Sequence, residues 1–137
     1  MNINIICIGK IKDKYINEGI AEFSKRMTSF ANLNIIELKE YNKEDNMSIS
    51  IEKESQDILK QLSKSVSYNI LLDLNGKELS SEDMSKYIED LKNKATSSIN
   101  FIIGGSNGVS KELKDSVDMK LKFSHFTFPH QLMRLIL

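Results

Sequence analysis

This sequence of 137 residues has no tryptophan, a single proline and a single cysteine, and its formal net charge at pH 7 is zero. One cysteine excludes an intramolecular disulfide framework, and Cys7 lies in an apolar run, where we expect a buried thiol. No apolar run approaches the ~18 residues of a membrane span, so we expect no membrane partner. The zero net charge argues against binding nucleic acid over the whole surface, although a homodimer could join two local basic patches.

The amino terminus also lacks the basic region, apolar stretch and small-residue cleavage site of a secretory signal peptide. A strand-like run begins at once, at residues 3–8. We therefore expect no signal peptide and a cytoplasmic protein. With 40% hydrophobic and 28% charged residues, the composition is typical of one globular domain spanning residues 1–137.

Strand-like and helix-like segments alternate along the chain. Apolar and β-branched runs predict five strands, at residues 3–8, 34–40, 68–74, 98–103 and 119–124. Helical spacing and capping residues predict helices after them, with starts near Asp13, Ser48, Ser80, Ser110 and Pro129. The dipeptide Asn75-Gly76 predicts a turn, and the polar segment 41–46 predicts a mobile loop. The alternation indicates the α/β class, with a mostly parallel sheet and helices on both faces.

The best candidate for a functional site is the turn after the fourth predicted strand, Gly104-Gly105-Ser106-Asn107-Gly108. Three glycines in five residues let the backbone take positive φ and bring bare amides close to a ligand. In open α/β sheets, such turns form small-molecule sites at the carboxyl ends of strands. A plain strand-to-helix connection explains the same residues equally well.

Two familiar phosphate sites are absent from the sequence. A dinucleotide fingerprint needs three spaced glycines after the first strand, where this chain has only Gly9. The glycine turn at 104–108 carries no lysine, unlike a phosphate loop. His125 and His130 lie five residues apart across Pro129, which is poor spacing for zinc, so we expect no metal site.

Three predicted strand ends remain, at residues 72–76, 104–105 and 123–128. Together they would form a crevice with backbone hydrogen-bonding groups and apolar walls, which suits an adenosine with an amino-acid tail. Taken singly, Asp73 is better explained by capping a turn, and the three phenylalanines of 123–128 are better explained by core packing.

Two motifs resemble those of a known family. Ile-Gly-Gly-Ser-Asn-Gly at 103–108 and Thr-Phe-Pro-His-Gln-Leu-Met-Arg at 127–134 are similar to the ribosomal large-subunit methyltransferase H family of the SPOUT superfamily, and segments 5–12 and 72–77 agree with it. The resemblance covers essentially the whole chain. It implies a SPOUT-type α/β knot (a trefoil knot), a homodimer, S-adenosylmethionine as methyl donor, and methylation at N3 of a pseudouridine in 23S ribosomal RNA on the assembled ribosome.

The resemblance also implies which residues bind the methyl donor. They are Leu72, Gly104, Phe123, Ser124, His125, Phe126, Thr127 and Phe128. Arg134 is a candidate to neutralise the anion that forms at the target nitrogen or to hold a phosphate, and an exposed or capping arginine fits its position equally. No residue is assigned as general base.

The last apolar segment reaches Leu137 without a cap or polar tail. Family members continue further, so we expect that residues are missing or that another subunit completes this helix, and the knot would be incomplete if the chain ended there. Two other functions stay open: another nucleotide- or flavin-binding α/β protein, and an inactive, truncated paralogue that acts as a dimerising module.

Overall fold

The structure is a computed structural model that describes residues 1–41 and 46–137. Strands and helices alternate through the described chain. The strands are β1 (Asn2–Ile8), β2 (Asn32–Leu38), β3 (Tyr68–Glu78), β4 (Ser98–Ile103) and β5 (Met119–Lys122). The helices are α1 (Lys14–Met27), α2 (Met47–Leu62), α3 (Ser81–Asn93), α4 (Lys111–Ser116) and α5 (His130–Ile136). This order confirms the α/β class.

The strands form one sheet in the order β2-β1-β4-β3-β5, and every neighbouring pair is parallel. The central strand β4 is buried at all six positions, as expected for a strand covered on both faces. Because all pairs are parallel, the carboxyl ends of the strands lie at one edge of the sheet. The predicted parallel sheet is confirmed.

Apolar side chains cover both faces of the sheet. One cluster joins Ile5 of β1 and Phe101 of β4 with Leu91 of α3, and Met133 of α5 packs against it. The other joins Ile6 and Ile102 with helices α2 and α4. Cys7 belongs to the first cluster and is fully buried, as its apolar setting predicts. No helix in the described ranges is both long and apolar enough to span a bilayer.

A row of asparagine side chains crosses four strands near the amino ends of β1 and β4. Asn34 Nδ2 donates to Asn4 Oδ1 at 3.1 Å, and Asn4 Nδ2 donates to Asn100 Oδ1 at 2.9 Å. Asn100 Nδ2 continues the row to Asn69 Oδ1 at 2.9 Å. Because these residues are direct partners in the strand pairing, a shift of one residue in the register of any strand would break the row.

Several predicted boundaries are wrong by one or a few residues; strand β5, for example, ends at Lys122 rather than at residue 124. Helix α2 is capped by Asn46, whose side chain accepts from the backbone N–H of Ser48, so Ser48 lies inside the helix rather than at its cap. Strand β2 begins at Asn32 rather than Asn34 because its register pairs Asn32 with Asn2 of β1. Of the predicted mobile loop 41–46, residues 42–45 lie outside the described part of the chain.

The predicted turn at Asn75-Gly76 does not end a strand. Strand β3 continues to Glu78, but Leu72 and Lys77 both pair with Leu121 of β5, so residues 73–76 bulge out of the ladder. A Cβ on Gly76 would lie 2.6 Å from the backbone of Lys120, so a glycine is required by the close approach of the two chains. The bulge lies at the carboxyl edge of the sheet.

The first prediction concerns the cap of α3. The Ser80 side chain accepts from the backbone N–H of Asp83 at 3.0 Å, as its position in the sequence predicts. Replacing Ser80 by alanine leaves that N–H without its partner, and we expect the free energy of unfolding to fall by about 1 kcal/mol. Urea unfolding measures the change. The neighbouring exposed Ser81→Ala is the control, with an expected effect below about 0.5 kcal/mol; equal effects would contradict the assignment of the cap.

Candidate functional site

Three segments at the carboxyl edge of the sheet surround a pocket of about 380 Å³. They are the bulge 73–76 of β3, the glycine turn 104–108 after β4, and the segment 123–128 between β5 and α5. The volume lies in the range of about 300–1,000 Å³ that is usual for small-molecule sites. The three predicted strand ends therefore meet at one pocket.

The glycine turn offers main chain rather than side chains to this pocket. Gly108 has a φ of +94° and donates its N–H to the carbonyl of Gly105 at 3.0 Å, which closes the turn. A Cβ on Gly104 would lie 2.6 Å from Cγ1 of Val109, too close for any other residue without rearrangement. The turn requires glycine at these positions, and it leaves backbone groups accessible to a ligand.

Helix α2 supports the glycine turn from behind. The fully buried Ser55 accepts from the backbone N–H of Ser110 at 2.8 Å. Beside it, Glu54 Oε2 accepts from the backbone N–H of Tyr41 at 2.9 Å, and Oε1 lies 2.5 Å from where a Cβ on Gly105 would be. Neither α2 residue was predicted. The only available signal was a set of polar residues, Ser50, Glu54 and Ser55, that share the buried side of an amphipathic helix.

Glu54 is a buried carboxyl group close to the pocket. Burial raises its pKa above the ordinary value of 4.5, because water no longer stabilises the charged form. The nearby carboxylate of Glu40 raises this pKa further, whereas the hydrogen bond from Tyr41 and the charge of His130 oppose the increase. The net direction is upward, so desolvation dominates over the partners.

Most of the residues that were predicted to bind the methyl donor line the pocket. They are Leu72, Gly104, Phe123, Ser124, Phe126, Thr127 and Phe128. His125 does not line it: Lys122 Nζ donates to His125 Nδ1 at 2.8 Å, and Glu78 Oε2 lies 3.4 Å from His125 Nε2. Other residues, among them Lys114 and Met133, also line the pocket and were not predicted to bind the donor. Met133 lies within the motif at 127–134, whereas Lys114 belongs to none of the motifs.

The structure does not bring Arg134 into the pocket. Its side chain is 3% exposed, and Nη2 donates to the carbonyls of Ile8 at 2.6 Å and Gly9 at 2.8 Å. Nη1 pairs with Glu37 Oε2 at 2.8 Å. The guanidinium therefore faces the ends of β1 and β2, whereas His130 and Met133 of the same helix line the pocket.

The described residues contain no group of three or more His, Cys, Asp or Glu side chains that could hold a metal ion. The pocket is bordered by apolar side chains, main chain, the carboxyl group of Asp73 and the amine of Lys114. Asp73 Oδ1 accepts from the backbone N–H of Asn75 at 2.9 Å, so one of its oxygens is used to shape the bulge. Such a pocket suits an organic ligand that is bound through backbone contacts and apolar walls.

A parallel α/β sheet with a pocket of apolar side chains and a glycine turn at its carboxyl edge defines a small-molecule-binding protein of the open-sheet class. The sequence model of one family, described as "Predicted SPOUT methyltransferase", matches residues 1–137. The chain belongs to this family of SPOUT methyltransferases.

Curated relatives agree with the family. The chain is 85% identical over 137 residues to a protein of Fusobacterium nucleatum named ribosomal RNA large subunit methyltransferase H, covering 100% of this chain and 88% of that protein. It is 48% identical to the protein of the same name from Clostridium novyi and 46% identical to that from Clostridioides difficile, in each case covering 100% of this chain and 89% of the relative.

The second prediction uses the raised pKa of Glu54. The folded protein holds the carboxyl proton more tightly than the unfolded chain, so this contribution to stability is full below pH 4.5 and is lost as the pH rises through the raised pKa. Glu54→Gln keeps an acceptor for Tyr41 and cannot ionise. We expect its stability relative to wild type to increase as the pH rises above 4.5 and then to level off.

Urea unfolding at a series of pH values measures this difference. Glu52→Gln, which replaces an exposed glutamate of the same helix, is the control and should follow wild type. A Glu54→Gln protein whose stability relative to wild type is the same at every pH would contradict the assignment.

Proposed function

We propose that this chain transfers a methyl group from S-adenosylmethionine to N3 of a pseudouridine in 23S ribosomal RNA. The observation that supports it most is the pocket, because the segments that carry the family motifs, 72–77, 103–108 and 127–134, all contribute to it. The names of the relatives support the large-subunit RNA as substrate.

The pocket fits the proposed methyl donor in size and chemistry. Its walls include Leu72, Phe123 and Phe128, which provide apolar contact for an adenine ring. The turn at 104–108 supplies backbone donors and acceptors for a ribose and an amino-acid tail. S-adenosylmethionine, when bound, supplies a methyl group that is already activated by its sulfonium.

With an activated methyl group, the task left to the protein is mainly to align two reacting centres. The three chain segments would orient the donor, and the exposed ring of Phe126 at the pocket gives a face on which a base could stack. The target nitrogen must also lose its proton, through a base or through stabilisation of the resulting anion. We assign no general base among the residues of this chain.

Three further features belong to the same proposal: an α/β knot, a homodimer, and action on the assembled ribosome in the cytoplasm. The exposed Tyr15 of α1 and Ile136 of α5 support the dimer, because these two helices contact each other and would present apolar side chains to a partner. A second copy could also add positive charge for RNA to a chain whose net charge is zero.

The third prediction tests binding of the methyl donor. Thr127 is exposed and borders the pocket, so Thr127→Trp fills the entrance without disturbing the core. We expect the wild-type chain to bind S-adenosylmethionine and its demethylated product in calorimetry, and the variant to bind both at least about tenfold more weakly, as loss of 1.4 kcal/mol of contacts would give. Val66→Trp adds a similar bulk at an exposed site before β3 and should bind as wild type does.

The alternative functions give different results in the same assay. Tight binding of a phosphorylated nucleotide or a flavin in preference to S-adenosylmethionine would favour another kind of nucleotide-binding protein. A folded chain that binds none of these ligands would favour an inactive, dimerising paralogue. Methyl transfer to ribosomes from cells that lack this gene, mapped by mass spectrometry of 23S RNA fragments, identifies the modified base.

The fourth prediction concerns the homodimer. We expect light scattering to give a mass near twice the 15.7 kDa of the chain. Ile136→Asp places a charge on the exposed apolar face of α5 and should shift the mass toward that of one chain. Val66→Asp, which is exposed at the opposite end of the sheet, should leave the dimer intact. A monomeric wild-type protein would contradict this part of the proposal.

A further inference from the structure

Arg134 connects two distant parts of the chain. It lies on α5 and donates to the carbonyls of Ile8 and Gly9, which are 126 and 125 residues away in sequence. It also pairs with Glu37 near the end of β2. A buried guanidinium that serves three acceptors fixes the distance and the orientation of its helix more strictly than apolar packing can.

The segment before α5 is anchored by Phe123, which packs against the first apolar cluster, and its polar contacts are few. Within 123–129, Ser124 Oγ accepts from the backbone N–H of Phe126, and His125 contacts Lys122 and Glu78, but all of these contacts are exposed to solvent. As in most helices of globular proteins, the position of α5 is set by tertiary packing rather than by helix propensity. Beyond Phe123, the position of segment 124–129 over the pocket therefore depends on what holds α5.

Two kinds of contact hold α5. On the apolar side, Leu135 packs so closely on α1 that a Cβ on Gly19 would lie 2.9 Å from Leu135 Cδ1, and Met133 packs on the core. On the polar side, Arg134 is the only residue of α5 with a side-chain hydrogen bond or ion pair to another element in the described chain. Its Nε is buried without a partner, a cost that the three bonds of the other nitrogens must offset.

We propose that Arg134 is a positioning residue: by binding the carbonyls of Ile8 and Gly9 and the carboxylate of Glu37, it holds α5 against the β1–β2 side of the sheet and so keeps segment 123–129 over the pocket. Neither Arg134 nor its partners Ile8, Gly9 and Glu37 line the pocket, so we assign its guanidinium no contact with the reacting groups. In treating the pocket as a methyl-donor site, this inference rests on the proposed function.

Four variants test the inference. Arg134→Gln removes the positive charge. Arg134→Lys keeps the charge but replaces the five N–H donors of the guanidinium by the three of one ammonium group. Glu37→Gln removes only the ion pair, at a residue whose side chain is 36% exposed. Arg26→Gln is the matched control, because Arg26 is the other arginine of the chain and lies exposed on α1. Calorimetry gives the Kd for S-adenosylmethionine, steady-state methyl transfer to ribosomes gives KM and kcat, and hydrogen exchange compares residues 123–133 with β4.

A positioning role predicts a specific pattern. Arg134→Gln should raise the Kd and the KM for the methyl donor about tenfold or more, as loss of a charged hydrogen bond does, and kcat at saturating donor should stay within about twofold. Amides of 123–133 should exchange faster while those of β4 keep their protection. Arg134→Lys should restore part of the affinity, and Arg26→Gln should match wild type.

Three results would overturn the inference. One is a fall in kcat with an unchanged Kd, which would place Arg134 in the methyl transfer itself. Another is wild-type affinity and exchange in a folded Arg134→Gln protein. The third result concerns the case in which Arg134→Gln does not fold. Glu37→Gln should then show a smaller rise in Kd and KM and a smaller increase in the exchange of 123–133. Wild-type values for Glu37→Gln would contradict the inference. If the wild-type chain does not bind S-adenosylmethionine, the proposed function fails, whereas the exchange of 123–133 still decides the role of Arg134.

Discussion

The parallel pairing of β1 and β3 with the buried strand β4 determines where the segments that follow these strands lie. Parallel strands leave the sheet at the same edge, so the turn after β4 must emerge at the centre of that edge. Strand β3 lies beside it and β5 lies one strand further. The pocket therefore forms from segments far apart in sequence, although no single segment would be a binding site alone.

Features of this fold that depend on residues close together in the sequence could be predicted. Strand β4 was predicted to the residue, since Ile99 and the run Phe101-Ile102-Ile103 favour a strand and a glycine turn follows them. The cap at Ser80 was likewise predicted from residues within one helical turn. The bulge at 73–76 was not, because Asn75-Gly76 is the same signal whether a strand ends or loops out. Only the second pairing of Leu121, with Lys77, distinguishes the two cases.

The same distinction applies to the pocket, between the residues that line it and the residues that hold the lining segments in place. The predicted donor-binding residues other than His125 line the pocket, and further residues, among them Lys114, Leu121 and Met133, line it as well. The residues that hold these segments in place were not predicted in that role. Glu54 and Ser55 are polar residues on a helix, which a pattern analysis takes as exposed, and the contacts of Arg134 are with residues more than 95 positions away. Long-range polar contacts leave no periodic signal in one sequence.

Two of these supporting residues, Glu54 and Arg134, are buried at an energetic cost. Glu54 keeps a carboxyl group in a place that raises its pKa, and Arg134 keeps Nε without a partner. An apolar residue at either position would avoid the cost but could not fix a backbone segment in direction. The glycine turn contributes main chain to the pocket, and main-chain groups cannot be changed by substitution at the same residue. The affinity of such a pocket for its ligand therefore depends on side chains that do not line the pocket but hold its turns in place on the sheet.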